Sequence, residues 1–204
     1  TPFGIQSFDQ QVFEVKEDEP NTQAMLVVEG QNTIGVQFID TEYLFDKRKG
    51  LVSILVNNEE ILKEAPRPIF YRALTDNDRG AKQNFAPWLN ASLFQYVTDF
   101  KMVRNSKCAQ FMYTMQLESI EEPCKLVYTI YNNQNIQIQM HMDKNSKRTT
   151  LPLFGIEFAL KEEFSNFAYF GKGEKDTYID RNHALTDFYF EDVKTNYIPY
   201  LKPQ

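Results

Sequence analysis

Asn135-Ile136-Gln137-Ile138-Gln139-Met140-His141-Met142 alternates polar and apolar residues over eight positions. In an extended chain successive side chains point to opposite faces. Ile136, Ile138, Met140 and Met142 therefore share one face, and the polar groups take the other. The stretch reads as a strand with one side on a core. Similar short strands are expected before it at Ala24–Val28, Thr33–Phe38, Glu42–Phe45, Gly50–Val56, Gln110–Leu117 and Cys124–Tyr131, and after it at Ile156–Leu160. Turn-forming residues separate them at Asp46–Gly50, Asn57-Asn58, Glu121–Pro123, Asn132-Asn133 and Lys144–Ser146. Many short strands joined by tight turns predict an all-β chain built as a large antiparallel β-sandwich. One helix is expected, Pro87–Val97, with Trp88, Ala91, Leu93 and Phe94 as its inward stripe.

The 204 residues suffice for one large β domain or a domain with part of a neighbour. A strand at Gln11–Val15 precedes the acidic, proline-bearing stretch Lys16–Thr22, which reads as a linker. Residues 1–15 are thus expected to end a preceding domain, 16–22 to connect, and 23–204 to form the main sandwich.

Lys and Arg number 22 against 28 Asp and Glu, and no basic run exceeds Lys47-Arg48-Lys49. That balance offers a nucleic-acid backbone no electrostatic footprint. No apolar run approaches the roughly 18 residues of a membrane-spanning helix, so no membrane partner is expected. Cys108 and Cys124, the two cysteines, form no CxxC pair and no disulfide framework. With no signal peptide at Thr1-Pro2-Phe3-Gly4, they suggest a cytoplasmic protein. The missing initiator Met suggests a segment of something longer. Asn90-Ala91-Ser92 is a formal glycosylation sequon, read as a chance occurrence.

Candidate chemistry is sparse. His141 and His183 have no metal-ligand spacing with each other or with a cysteine, so no metal site is assigned. Gly171-Lys172-Gly173 is half of a glycine fingerprint and is not followed by a helix. Paired carboxylates are the stronger candidates: Asp76 and Asp78 flank Asn77, and Asp176 and Asp180 flank Tyr178. A glycosidase needs two carboxyl groups about 5–10 Å apart. Asp-Asn-Asp turns more often spend their carboxylates on backbone N–H groups, and that is the reading adopted here.

Pro66-Arg67-Pro68-Ile69-Phe70-Tyr71-Arg72-Ala73-Leu74-Thr75-Asp76-Asn77-Asp78-Arg79-Gly80 resembles a family motif, FxRAPxDND.G. The motif belongs to the small-chain (fifth) domain of glycoside hydrolase family 2 β-galactosidases. Tyr169-Phe170-Gly171-Lys172-Gly173-Glu174-Lys175-Asp176-Thr177-Tyr178-Ile179-Asp180-Arg181 is similar to the family's WYGRGPxENYxDR. Tyr197-Ile198-Pro199-Tyr200-Leu201-Lys202-Pro203-Gln204 is similar to YxPYxxPQ. Three motifs follow in the family's order. Leu74 stands where the family has proline, Glu174 replaces a second proline, and Asp176-Thr177 replace Glu-Asn. The leading Ser7–Phe13 resembles the last strand of an immunoglobulin-like domain.

The resemblance implies a supersandwich that continues past Gln204 and is therefore incomplete at its C-terminal end. An uncovered sheet edge makes self-pairing into a homo-oligomer, or modest aggregation, the expectation for the isolated chain. The resemblance implies a non-catalytic domain of a retaining β-galactosidase acting on terminal β-galactosides such as lactose. The catalytic glutamates lie on a barrel elsewhere, and the partners are the remaining domains of that enzyme. No cofactor is implied for this stretch, and Mg²⁺ and Na⁺ for the whole enzyme. Gly80 would be the hinge of a substrate loop whose body is Ala81–Pro87, with Asp78, Ala81 and Lys82 among its residues. Arg72, Asp76, Asn77, Gly171, Gly173, Tyr178, Asp180 and Arg181 would be structural motif residues. Arg72 is expected to hold Asp76 or Asp78, and Arg181 to hold Asp180. A second reading is a free-standing carbohydrate-binding sandwich, for which Trp88 and Tyr96 are the candidate stacking aromatics, although a core or domain-interface role is the reading preferred for both.

Overall fold

A computed structural model describes residues 24–82, 84–143, 150–173 and 182–195. Strands dominate them. The first sheet has five antiparallel strands in sequence order: β1 (Leu26–Glu29), β2 (Thr33–Gln37), β3 (Thr41–Asp46), β4 (Gly50–Val56) and β5 (Glu59–Glu60). The second has four, β7 (Gln95–Arg104), β8 (Cys108–Leu117), β9 (Ile120–Tyr131) and β10 (Ile136–Met142), again antiparallel with sequence neighbours paired. Two ribbons complete the set. One pairs β6 (Leu62–Ile69) with β11 (Gly155–Leu160), and the other pairs β12 (Asn166–Lys172) with β13 (Thr186–Asp192).

The two larger sheets pack face to face. Ile34, Val36, Tyr43, Phe45 and Leu51 from the first meet Phe111, Tyr113, Leu126, Tyr128 and Ile130 from the second. Phe45 stacks on Phe111 with ring centroids 3.9 Å apart and meets Tyr128 edge-on. Each such fully buried apolar side chain stabilises the fold by roughly 1.5–3 kcal/mol. The all-β sandwich expected from strand alternation is therefore the observed architecture.

The alternating stretch behaves as its sequence demands. Ile136, Ile138, Met140 and Met142 turn inward from β10, while Gln137, Gln139 and His141 are exposed. Ile136, Ile138 and Met140 pack on the inter-sheet core. Met140 and Met142 pack on a second cluster around Phe70, Phe85 and Trp88. One strand thus joins both cores.

Turns fix the register. Asn57 and Asn58 both adopt positive φ, 51° and 64°, in the two-residue link of β4 to β5. That is the primed turn whose twist suits a hairpin. Gly50, at φ 93°, closes the β3–β4 turn after Asp46 Oδ1 accepts the Arg48 N–H. Glu121–Pro123, expected as a turn, lies inside β9; the turn is Glu118-Ser119, with Ser119 at φ 65°. Pro123 is accommodated because the β8–β9 register shifts there, so no regular ladder hydrogen bond needs its missing N–H.

The helix is shorter than expected. Helix α2 spans Ala86–Leu93, following the short helix α1 (Asp76–Gly80). Trp88 and Ala91 are buried as expected, but Leu93 and Phe94 are exposed. Phe94 is already extended, and Gln95-Tyr96-Val97 pair with β8 instead of continuing the helix. Strands β5, β6, β7, β12 and β13 extend the set that alternation alone suggests. The expected strand at Gln11–Val15, the linker at 16–22, the Lys144–Ser146 turn and the closing motif at 197–204 lie outside the described residues.

Candidate functional site

Two prolines make Leu62–Ile69 an unlikely-looking strand, and its surroundings explain it. Proline lacks an N–H, so it belongs on a sheet edge. Among the described residues β6 pairs only with β11, and backbone groups of the Pro66, Pro68 and Phe70 parity turn the other way. The Pro68 carbonyl accepts from Gln95 Nε2 at 3.0 Å, and the Phe70 N–H donates to Ser92 Oγ at 2.9 Å. Ser92 Oγ in turn donates to the Trp88 carbonyl at 2.8 Å. Side chains of α2 and early β7 thus replace a neighbouring strand. Arg67 reaches the same place, donating to the Ser92 carbonyl and pairing with Glu157 of β11 at 2.8 Å.

Beyond Phe70 the chain enters the motif region. Thr75 caps α1 reciprocally: its Oγ1 accepts from the Asp78 N–H at 3.2 Å, and Asp78 Oδ2 accepts from the Thr75 N–H at 2.9 Å. This capping box satisfies donors that a helix start leaves open. Arg72 closes on the same carboxylate. Its Nη1 lies 2.7 Å from Asp78 Oδ2, its Nε donates to the Pro152 carbonyl at 3.1 Å, and its Nη1 also meets the Ala73 carbonyl. The Arg72 guanidinium first, and the Thr75 N–H next, hold the Asp78 carboxyl down to about 2. Leu74, in the family's proline position, packs against the Phe70 and Trp88 cluster.

These contacts separate the two candidate carboxylates. Asp78 is engaged by Arg72 and the cap. Asp76 is exposed and pairs with Arg79 at 3.2 Å. Arg72 therefore holds Asp78 and not Asp76, and the two acids pair with different cations. Asn77 contributes its carbonyl to the Ala81 N–H at the end of α1.

Gly80 ends α1 in an open setting. A Cβ built there meets nothing within 4 Å, and its φ is outside the positive region. Neither space nor local backbone geometry calls for glycine. Lys82, two residues on, adopts φ 51°.

The second glycine pair differs between its members. Gly171 lies in β12 opposite Asp187. Gly173 is crowded: a Cβ there would overlap the Tyr169 hydroxyl and press on the Tyr189 ring, so a side chain would have to displace those rings. Its N–H bonds the Leu185 carbonyl at 3.3 Å. Asp176, Tyr178, Asp180 and Arg181 lie outside the described residues.

Trp88 is 1% exposed, so it cannot stack on a sugar from this position. Tyr96 is open to solvent on β7. Cys124 is buried, which pushes its thiol up to about 12 and leaves it inert at neutral pH. Among the described residues no group of three or more His, Cys, Asp or Glu side chains is placed to hold a metal ion. Among them, too, no helix is long and apolar enough to cross a membrane.

The family described as beta galactosidase small chain matches residues 38–204. The chain belongs to that family. A β-galactosidase of Clostridium acetobutylicum is 32% identical over 182 residues, covering 86% of this chain and 20% of its own length. One of Streptococcus thermophilus is 30% identical over 198 residues, 95% of this chain and 19% of its own. One of Priestia megaterium is 28% identical over 206 residues, 97% of this chain and 20% of its own. This small-chain sequence thus spans about a fifth of the relatives it matches. The β6-to-α1 motif lies within the matched range, so the Arg72–Asp78 geometry describes a family segment.

Proposed function

We propose that this chain is the non-catalytic structural and active-site-loop domain of a β-galactosidase that hydrolyses terminal β-galactosides such as lactose. Alone, it is inactive. The parent enzyme is retaining and cytoplasmic; its two catalytic carboxyl groups and any Mg²⁺ or Na⁺ are supplied by the remaining domains. The observation that supports this reading most is the contrast across Gly80. The helix that Gly80 ends is capped and clamped by Arg72, while the side-chain space at Gly80 is empty. A clamped base followed by an open glycine suits a loop that moves as a unit, here the segment from Gly80 through Ala81 and Lys82.

The engagement of Asp76 and Asp78 elsewhere supports a supporting domain over an independent hydrolase. Exposed Phe170, Phe188 and Phe190 on one face of the β12–β13 ribbon suit docking against the parent's other domains. Copies of the isolated chain would pair through that face.

Kinetics of the full-length parent carrying Gly80→Ala on a chromogenic β-galactoside test the loop role. The reading expects kcat and KM to shift together. Unchanged values for both would remove the loop from the account.

A further inference from the structure

We infer that Arg72 is the positioning residue for the Gly80 loop, a clamp that fixes the loop's base to the segment entering β11. The inference rests on the loop reading above and names the part that holds it. The guanidinium joins three places in the chain: the Ala73 carbonyl beside it, the Asp78 carboxylate on α1, and the Pro152 carbonyl 80 positions downstream. The Pro152 end is itself anchored. Leu151 packs on the Phe70 and Trp88 cluster, and the Phe154 ring sits 6.1 Å from the Phe70 ring. Asp78 receives Arg72 and the Thr75 N–H on the same oxygen, so the clamp and the helix cap are one unit.

The arrangement uses arginine's shape. A planar fork meets a carboxylate and a carbonyl in different directions at once, which a lysine ammonium on a flexible stem does not reproduce. Charge alone would be kept by lysine; the bridge to Pro152 would not. At Gly80, the last residue of the clamped helix, the side-chain space is empty. Arg72 therefore fixes the helix from which the loop departs, and the Ala81 N–H still bonds the Asn77 carbonyl of that helix. Small misplacements at such a base reach the chemistry, since a shift near 1 Å can cost on the order of a hundredfold in rate.

The test uses the full-length parent enzyme, with active sites counted by a covalent mechanism-based galactoside inhibitor. Arg72→Lys, Asp78→Asn and Gly80→Ala are compared on a chromogenic β-galactoside, together with the Arg72→Lys/Gly80→Ala double variant. The clamp predicts that Arg72→Lys lowers kcat per titrated site by about tenfold. It also predicts that the double variant loses less than the product of the single losses. If Arg72→Lys does not fold, Asp78→Asn carries the same expectation, because it keeps the acceptor for Thr75 while discharging the clamp. A Gly80 variant with altered kinetics beside Arg72 and Asp78 variants with normal kcat and KM per site would overturn the clamp alone. Normal kinetics in all variants would overturn the loop reading and the clamp with it.

Discussion

The Phe70 N–H donates to the Ser92 hydroxyl at 2.9 Å, across 22 positions of sequence and with both groups buried. The same hydroxyl donates to the Trp88 carbonyl, so one side chain ties the end of β6 to helix α2. Everything that follows in the motif starts from this anchor.

Ser92→Ala leaves the Phe70 N–H buried without an acceptor. Such a loss costs about 1–3 kcal/mol. Trp88 is the chain's one tryptophan and sits in the affected cluster, so its fluorescence in a urea titration reads the change directly. The expected result is a lower midpoint with an unchanged slope.

Gly80→Ala behaves oppositely. An alanine Cβ meets no neighbour, and the residue ends a helix with ordinary φ. Reduced freedom of the unfolded chain should leave the melting temperature unchanged or raise stability by about 0.4–1 kcal/mol. A marked loss in thermal melting would show that Gly80 has a structural role after all.

Gly50→Ala destabilises. Gly50 has φ 93°, and its added Cβ would lie 3.4 Å from the buried Tyr128 hydroxyl. Holding a side chain in that backbone region costs of order 1–3 kcal/mol. Chemical denaturation of the pair of glycine variants should place them on opposite sides of the parent chain.

Acid should release the α1 clamp. The Asp78 carboxyl titrates at about 2 in the folded chain against an ordinary 3.8, so its folded value is depressed. Its contribution is therefore full above the ordinary value and is lost as pH falls through the window from 3.8 toward about 2. Asp78→Asn should melt lower than the parent chain at neutral pH, by about 1 kcal/mol. The gap should close across that acid window. A gap that persists unchanged at the acid end would mean that the charge is not what stabilises the cap.

Much of this was legible in the sequence, for reasons specific to each element. β10 reads plainly because one of its faces is buried and the other is wet. The expected strand Gly50–Val56 coincides with β4 at both ends because Gly50 and Asn57 bracket it. β6 hides behind Pro66 and Pro68, whose edge position only the Gln95 and Ser92 contacts reveal. β12 and β13 carry Phe or Tyr on both faces, which removes the alternation that marks a half-buried strand. At the site, Thr75-Asp76-Asn77-Asp78 is a capping-box pattern that sequence spacing could have singled out, and it would have separated Asp78 from Asp76. The link from Arg72 to the Pro152 carbonyl carries no sequence signal, since a backbone acceptor 80 positions away has no residue preference.

The central claim is that this small-chain domain supports catalysis without performing it. The most direct measurement is the initial rate of chromogenic β-galactoside hydrolysis by the purified chain alone. The account predicts no turnover above the buffer blank at any chain concentration. Turnover proportional to chain concentration, and lost in Asp76→Asn or Asp78→Asn, would contradict it and return those two carboxylates to catalysis.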